Sequence, residues 1–203
     1  GLLQLISYAM IELGGALPRL SGGVGGGFDN YLPVFGTVVS IMMCALALNS
    51  CTAALHLSIL ALNLKPGDEV ITTPMTFCAT ANAILHSQAV PVFADIDPAT
   101  QNIDPADVAR KITPRTRAVL PVHLYGRSCD IDALMALCTK HRLKYIGDCA
   151  HAIETRWKHQ RVGSYGDINC FSFYPTKNVV TIEGGMVTTN DEEVAATVKR
   201  LAL

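Results

Sequence analysis

The run Ile41-Met42-Met43-Cys44-Ala45-Leu46-Ala47-Leu48, then Asn49-Ser50-Cys51-Thr52, then the turn Lys65-Pro66-Gly67-Asp68 and the short Val70-Ile71-Thr72-Thr73, decides the fold. The apolar residues 41–48 read as a buried strand, residues 52–63 as a helix closed by the turn tetrapeptide, and residues 70–73 as a second strand. Strand, helix and strand in succession form the unit of a layered α/β fold, because parallel neighbours need a crossover long enough to carry a helix. The predicted class is therefore α/β with a mostly parallel sheet.

Towards the C-terminus the alternation persists. Residues 76–88 predict a helix and 90–94 a strand. Asp104-Pro105 then supplies an N-cap with proline at the first helical position, starting a helix that runs to 111. Residues 118–123 predict a strand, and 130–141 a helix with Ile131, Leu134, Met135 and Cys138 on one face. Strands follow at 144–147, 168–174 and 185–189, the last leading into a helix from Asp191 with Val194, Val198 and Leu201 on one side.

Towards the N-terminus the chain changes character. Only Glu12, Arg19 and Asp29 are charged before Lys65. Residues 32–48 admit a reading as a membrane helix, against which stand the interrupting Pro33 and Gly36, the lack of close flanking Lys or Arg, and the polar Asn49, Ser50 and Thr52 that follow. Residues 1–13 lack the basic start and small-residue cleavage site of a secretory signal. Seven glycines crowd into 14–27, but position 28 is Phe and no GK[ST] follows, so the segment reads as a linker and not a nucleotide loop. The chain divides into an atypical Gly-rich and apolar segment, 1–43, expected to be disordered, and a folded unit, 44–203.

Composition sets further bounds. Of 203 residues, 50% are hydrophobic and 16% charged, which excludes disorder of the whole and predicts a large core. A net charge of −1 leaves no basic stripe for nucleic acid or an anionic membrane. Seven cysteines with no CxxC pair fit neither a disulfide framework nor a metal site; they read as small buried hydrophobes in a reducing compartment, and the cytoplasm is the expected location.

In an open α/β sheet, functional groups gather beyond the carboxyl ends of the strands. Asn49-Ser50-Cys51-Thr52 places free backbone N–H groups and a positive dipole end where a phosphate could sit, or forms an ordinary N-cap. Asp148 ends an apolar strand, where a carboxylate either caps the next turn or holds a protonated ring nitrogen. His151 follows, a structural histidine unless it shares that site. Phe171-Ser172-Phe173-Tyr174-Pro175-Thr176-Lys177-Asn178 sets a lysine among aromatics, where desolvation would free a neutral amine to attack an aldehyde, unless the side chain snorkels to water. Glu183-Gly184-Gly185 adds a turn able to approach a ligand. An anion cradle, a carboxylate for a pyridine nitrogen, an aromatic near Phe77 and a lysine beside a serine match the needs of pyridoxal 5′-phosphate.

Residues 45–203 resemble the first half of a nucleotide-sugar aminotransferase of the DegT/StrS type. The resemblance rests on Asn49-Ser50-Cys51-Thr52-Ala53-Ala54-Leu55-His56, Lys65-Pro66-Gly67-Asp68-Glu69-Val70, Thr76-Phe77-Cys78-Ala79-Thr80-Ala81-Asn82 and Asp95-Ile96-Asp97-Pro98. It continues through Pro121-Val122-His123-Leu124-Tyr125-Gly126, Asp148-Cys149-Ala150-His151-Ala152, residues 171–178 and Glu183-Gly184-Gly185. It implies the aspartate-aminotransferase-like large domain, fold type I, a mostly parallel seven-stranded sheet between helices. It implies that Lys177 carries the cofactor, Asp148 partners the pyridine nitrogen, and Ser172, Cys51 and Thr52 hold the phosphate, although many members have glycine where Cys51 stands. Phe77 resembles the ring-stacking aromatic, and His151 fills a position near the phenolic oxygen often occupied by glutamine. Lys177 itself argues against the dehydratase branch, which has histidine there. The family's small C-terminal domain lies outside the matched motifs, and residues 1–43 do not resemble its N-terminal segment.

The expected function is an aminotransferase, with glutamate as amine donor, a nucleotide-linked keto-sugar as acceptor, no metal, and a homodimer whose second subunit completes each site. The alternatives are a catalytically incompetent large-domain piece that at most binds pyridoxal phosphate, and an α/β protein anchored in a membrane by residues 32–48.

Overall fold

The computed structural model describes residues 45–202. A seven-stranded sheet is built from β1 (Ala45–Leu48), β2 (Glu69–Thr72), β3 (Val90–Phe93), β4 (Thr116–Val119), β5 (Lys144–Asp148), β8 (Ile168–Ser172) and β9 (Gly185–Thr189), in the order β1-β9-β8-β5-β4-β2-β3. The pairs among β3, β2, β4, β5 and β8 are parallel, and β9 is antiparallel to both β8 and β1. The predicted α/β architecture and mostly parallel sheet are found.

Alternation along the strands feeds two cores. Val70, Ala118, Ile146, Ile168 and Val187 pack with residues of α1 (Cys51–Ala61), α2 (Ala79–His86) and α5 (Glu192–Leu201). Their strand neighbours Ile71, Val119 and Tyr145 point the other way, towards Val108 of α3 (Pro105–Lys111) and Leu134 and Cys138 of α4 (Ile131–His141). Strands covered on both faces are apolar throughout, which is why they read as continuous runs. Three helices start as predicted: the side chains of Asp104, Asp130 and Asp191 each accept a hydrogen bond from a first-turn N–H.

Several expectations need correction. Residues 41–44 lie outside the described residues, as does the whole segment 1–43. The remainder of the predicted buried strand, β1, pairs only with β9 among the described residues and is half-buried or exposed, with Leu46 and Leu48 on the core and Ala47 outward. An apolar run does not distinguish an edge strand from a central one. Its strand conformation also removes residues 45–48 from the membrane helix considered for 32–48, and no helix among the described residues is long and apolar enough to cross a membrane. The helix predicted for 76–88 begins only at Ala79, leaving Phe77 in the preceding loop. Leu201 is 45% exposed and not on the buried side of its helix. Cys78 is exposed, whereas Cys51, Cys129, Cys138, Cys149 and Cys170 are buried free thiols. A small hairpin, β6 (Arg156–Trp157) and β7 (Gln160–Arg161), was not predicted; two-residue strands carry no periodicity, and its turn is made by Lys158 at φ 52°.

Register brings the functional edge together. Leu48 is opposite Gly185, Gly185 opposite Ser172, and Asp148 opposite Cys170. The carboxyl ends of β1, β5 and β8 and the amino end of β9 therefore meet at one edge of the sheet. At the opposite edge, Glu69 is 4% exposed and accepts hydrogen bonds from Thr113 Oγ1 and from Arg115 Nε at 2.9 Å, tying β2 to the turn before β4.

The Thr113 hydrogen bond, with Arg115, holds the Glu69 carboxyl below its ordinary range despite burial. The stability this contributes is complete above the unfolded-state glutamate range and is lost as the pH falls through the lowered folded-state range. Urea midpoints measured against pH should show that acid loss in the wild type and a flattened acid limb in Glu69→Gln.

Candidate active site

A cavity of about 490 Å³ opens at the functional edge. Cys51, Thr52, Phe77, Asp148, His151, Ser172 and Lys177 all line it, so the structure brings these seven side chains to one cavity. They arrive from five places: the start of α1, the loop before α2, the end of β5 with the turn after it, the end of β8, and the loop between β8 and β9.

The α1 wall is set by its cap. Ser50 is extended, φ −162° and ψ 161°, and its Oγ accepts from Ala53 N at 3.1 Å. That satisfies one first-turn donor and leaves the N–H groups of Cys51 and Thr52 without a partner among the described residues. The position depends on Gly185: a Cβ there would come within 2.2 Å of Ser50 C and 2.5 Å of Cys51 N. Burial, and next the nearby Asp148, push the Cys51 thiol well above its ordinary range, so it lines the cavity as a neutral group.

Asp148 forms the floor. It is 4% exposed, Oδ1 accepts from Ala150 N at 3.1 Å, and Oδ2 accepts from Thr80 Oγ1 at 2.9 Å. The carboxylate thus caps the following turn, one of the two predicted roles, and no cation among the described residues forms an ion pair with it. Burial raises its protonation range, opposed by the Ala150 and Thr80 hydrogen bonds and by His151 and Lys177. A buried carboxylate that faces a cavity and has no cation paired with it is complementary to a ligand that brings a positively charged N–H. That is the observation by which these residues fit a pyridine cofactor.

His151 lines the same cavity as Asp148 and is half-buried. Its Nδ1 accepts the backbone N–H of Tyr125 at 3.3 Å, and its ring stacks on Tyr125 at 5.6 Å between centroids and 6° between planes. Tyr125 reaches this position through a left-handed φ of 51°. Because Nδ1 is the acceptor, the neutral ring carries its proton on Nε2. Desolvation, and next Lys177, lower the His151 range, which favours that neutral form.

Lys177 follows β8 on a turn in which its N–H donates to Tyr174 O at 2.9 Å. Its side chain is half-buried; of the neighbouring aromatics, Phe171 and Phe173 are buried and Tyr174 is 48% exposed. Ser172 is buried, its Oγ accepting from Tyr174 N at 3.4 Å. Phe77 stands at the rim, 75% exposed.

Sequence reasoning gave no role to Ser50 by itself, to the hydroxyls of Thr76 and Thr80, or to Tyr125. The Thr76–Thr80 spacing of four at a helix start was the available signal for the hydroxyl pair. Nothing local foretold the left-handed Tyr125. Among the described residues no group of three or more His, Cys, Asp or Glu is placed to hold a metal ion.

Gly185→Ala should destabilise the fold by about 1–3 kcal/mol through overpacking and push the first turn of α1 away from β9. Denaturant midpoints and amide exchange at Cys51 and Thr52 would report both; an unchanged midpoint would remove the packing argument.

Residues 34–203 match the family model described as the DegT/DnrJ/EryC1/StrS aminotransferase family. The spore coat polysaccharide biosynthesis protein SpsC of Bacillus subtilis is 55% identical over 159 residues, 78% of this chain and 41% of that protein. GDP-perosamine synthase of Caulobacter vibrioides is 45% identical over 157 residues, 77% of this chain and 42% of that one. The chain therefore spans about two-fifths of the length of these curated relatives. The solved structure of ntda from Bacillus subtilis, with bound cofactor PMP, superposes with a TM-score of 0.73 at 34% identity, covering 97% of this chain and 43% of that one.

Proposed function

The chain belongs to the DegT/DnrJ/EryC1/StrS aminotransferase family, and on that premise we propose that its cavity holds pyridoxal 5′-phosphate and serves transfer of an amino group from glutamate to a nucleotide-linked keto-sugar. The observation that carries the reading is the buried, cation-free carboxylate of Asp148 in the same cavity as the amine of Lys177. The substrate class is supported by relatives such as GDP-perosamine synthase, and the cofactor by the PMP bound in the ntda structure.

When bound, the cofactor supplies an aldehyde conjugated to a pyridine ring that withdraws electrons once protonated. In this reading Asp148 keeps the proton on the ring nitrogen through charge and a hydrogen bond. Lys177 Nζ is the amine that holds the group and afterwards moves a proton at the reacting carbon. The N–H groups of Cys51 and Thr52, the Thr52 hydroxyl and the Ser172 hydroxyl receive the phosphate at a helix start, where the dipole favours an anion. With the cofactor bound, Nε2–H of His151 would be a donor for the phenolic oxygen, and Phe77 would cover the ring face.

We further assign the protein to the cytoplasm and to a homodimer. The buried free thiols suit a reducing compartment. Phe77, 75% exposed at the cavity mouth, and Tyr125, 77% exposed and stacked on His151, leave aromatic surface that a second subunit would cover. The second reading is cofactor binding without turnover by these residues alone.

Added pyridoxal phosphate followed by borohydride should leave a stable label that peptide mapping places on Lys177, and Lys177→Ala should carry none. Label at another lysine, or equal label in Lys177→Ala, would overturn the assignment. Amine transfer from glutamate by the labelled protein's unreduced counterpart separates the two readings: turnover excludes binding alone.

A further inference from the structure

The hydroxyls of Thr76 and Thr80 form a chain that ends on Asp148. Thr80 is fully buried in the first turn of α2 and its Oγ1 donates to Asp148 Oδ2 at 2.9 Å. Thr76 Oγ1 lies 2.7 Å from Thr80 Oγ1. An ionised carboxylate only accepts, so the single Thr80 proton is committed to it, and Thr76 must donate to Thr80. Each Asp148 oxygen then holds one neutral donor, Ala150 N–H on Oδ1 and Thr80 O–H on Oδ2, and keeps further lone pairs for the cavity.

We propose that Thr80, backed by Thr76, is a positioning residue that holds Asp148 ionised and fixes the rotation of its carboxylate towards the cavity. The inference rests on the proposed cofactor reading for its functional meaning, while the coupling itself is a property of this chain's own residues. Three observations support it. Asp148 has no cationic ion-pair partner among the described residues, so neutral donors carry a large share of what keeps it charged. Among the other titratable groups, His151 and Lys177 assist. The thiols of Cys51, Cys129, Cys149 and Cys170 are all raised by burial and stay neutral, while His151 and Lys177 act across the cavity. Thr80 is also joined to the loop that carries Phe77, through its backbone N–H, which donates to Phe77 O at 3.1 Å. One short chain thereby links the aromatic at the rim to the acid at the floor.

The test is isotope-edited infrared titration of carboxyl-labelled aspartate in the cofactor-free 203-residue chain, with Asp148→Asn identifying the band. Thr80→Val keeps the shape and removes the donor; the protonated Asp148 acid should persist to higher pH than in the wild type. Thr80→Ser should titrate as the wild type. Thr76→Val, at a less buried position, should shift the band in the same direction by a smaller amount and guards against misfolding of Thr80→Val. With added pyridoxal phosphate, Thr80→Val should bind about tenfold more weakly, the scale of one hydrogen bond to a charged group. An unshifted titration in both valine variants, or a shift that Thr80→Ser fails to reverse, overturns the proposal. A shifted titration in a chain that binds no pyridoxal phosphate upholds the coupling and overturns the cofactor reading instead.

Discussion

A carboxylate buried at the end of a central strand, with no cation beside it, is the constraint around which this molecule is arranged. Asp148 is 4% exposed and receives only two neutral donors among the described residues. Such a group costs stability unless something in the cavity compensates it. The buried thiols stay protonated and His151 is pressed towards neutrality, so the compensation comes first from the Ala150 and Thr80 hydrogen bonds, with His151 and Lys177 adding to it. The remaining polarity is spread across the cavity, with the amide-rich start of α1 at one wall and Lys177 at another. The cavity thus carries helix-start N–H groups, a carboxylate and an amine on separate elements.

The backbone keeps that arrangement rigid. The His123 N–H donates to Asp148 O at 3.0 Å and the Asp148 N–H to Pro121 O at 2.9 Å, extending the β4–β5 pairing past the end of the regular strands. Beneath it, fully buried His123 accepts the Cys129 N–H on Nδ1 at 3.1 Å and meets the Tyr145 hydroxyl through Nε2 at 3.3 Å. Burial lowers its range to about 4, so it remains a neutral imidazole whose tautomer is set by the Cys129 bond. A charged histidine here would lie in the core below Asp148; a neutral one serves as a hydrogen-bonded spacer. The opposite wall depends on close approach, since α1 reaches its place only because Gly185 lacks a side chain.

Much of this was legible in the sequence because both the sheet and the site obey local rules. Strand and helix alternation, the Asp-capped helix starts and the polar residues after apolar strands each have a mechanism that acts within a few residues. The antiparallel direction of β9, the edge position of β1 and the exposure of Leu201 and Cys78 are settled by tertiary neighbours, and no local pattern reports them. The Thr76–Thr80–Asp148 chain joins residues 68 apart and becomes visible only when the start of α2 is set against the end of β5.

The central claim is that Asp148 is shaped to share a hydrogen bond with a protonated pyridine nitrogen. The nitrogen-15 resonance of ring-labelled pyridoxal 5′-phosphate bound to the chain addresses it most directly. A protonated ring nitrogen in the wild type that becomes unprotonated in Asp148→Asn is the predicted result. A ring nitrogen already unprotonated in the wild type, or one indifferent to the substitution, would contradict the account.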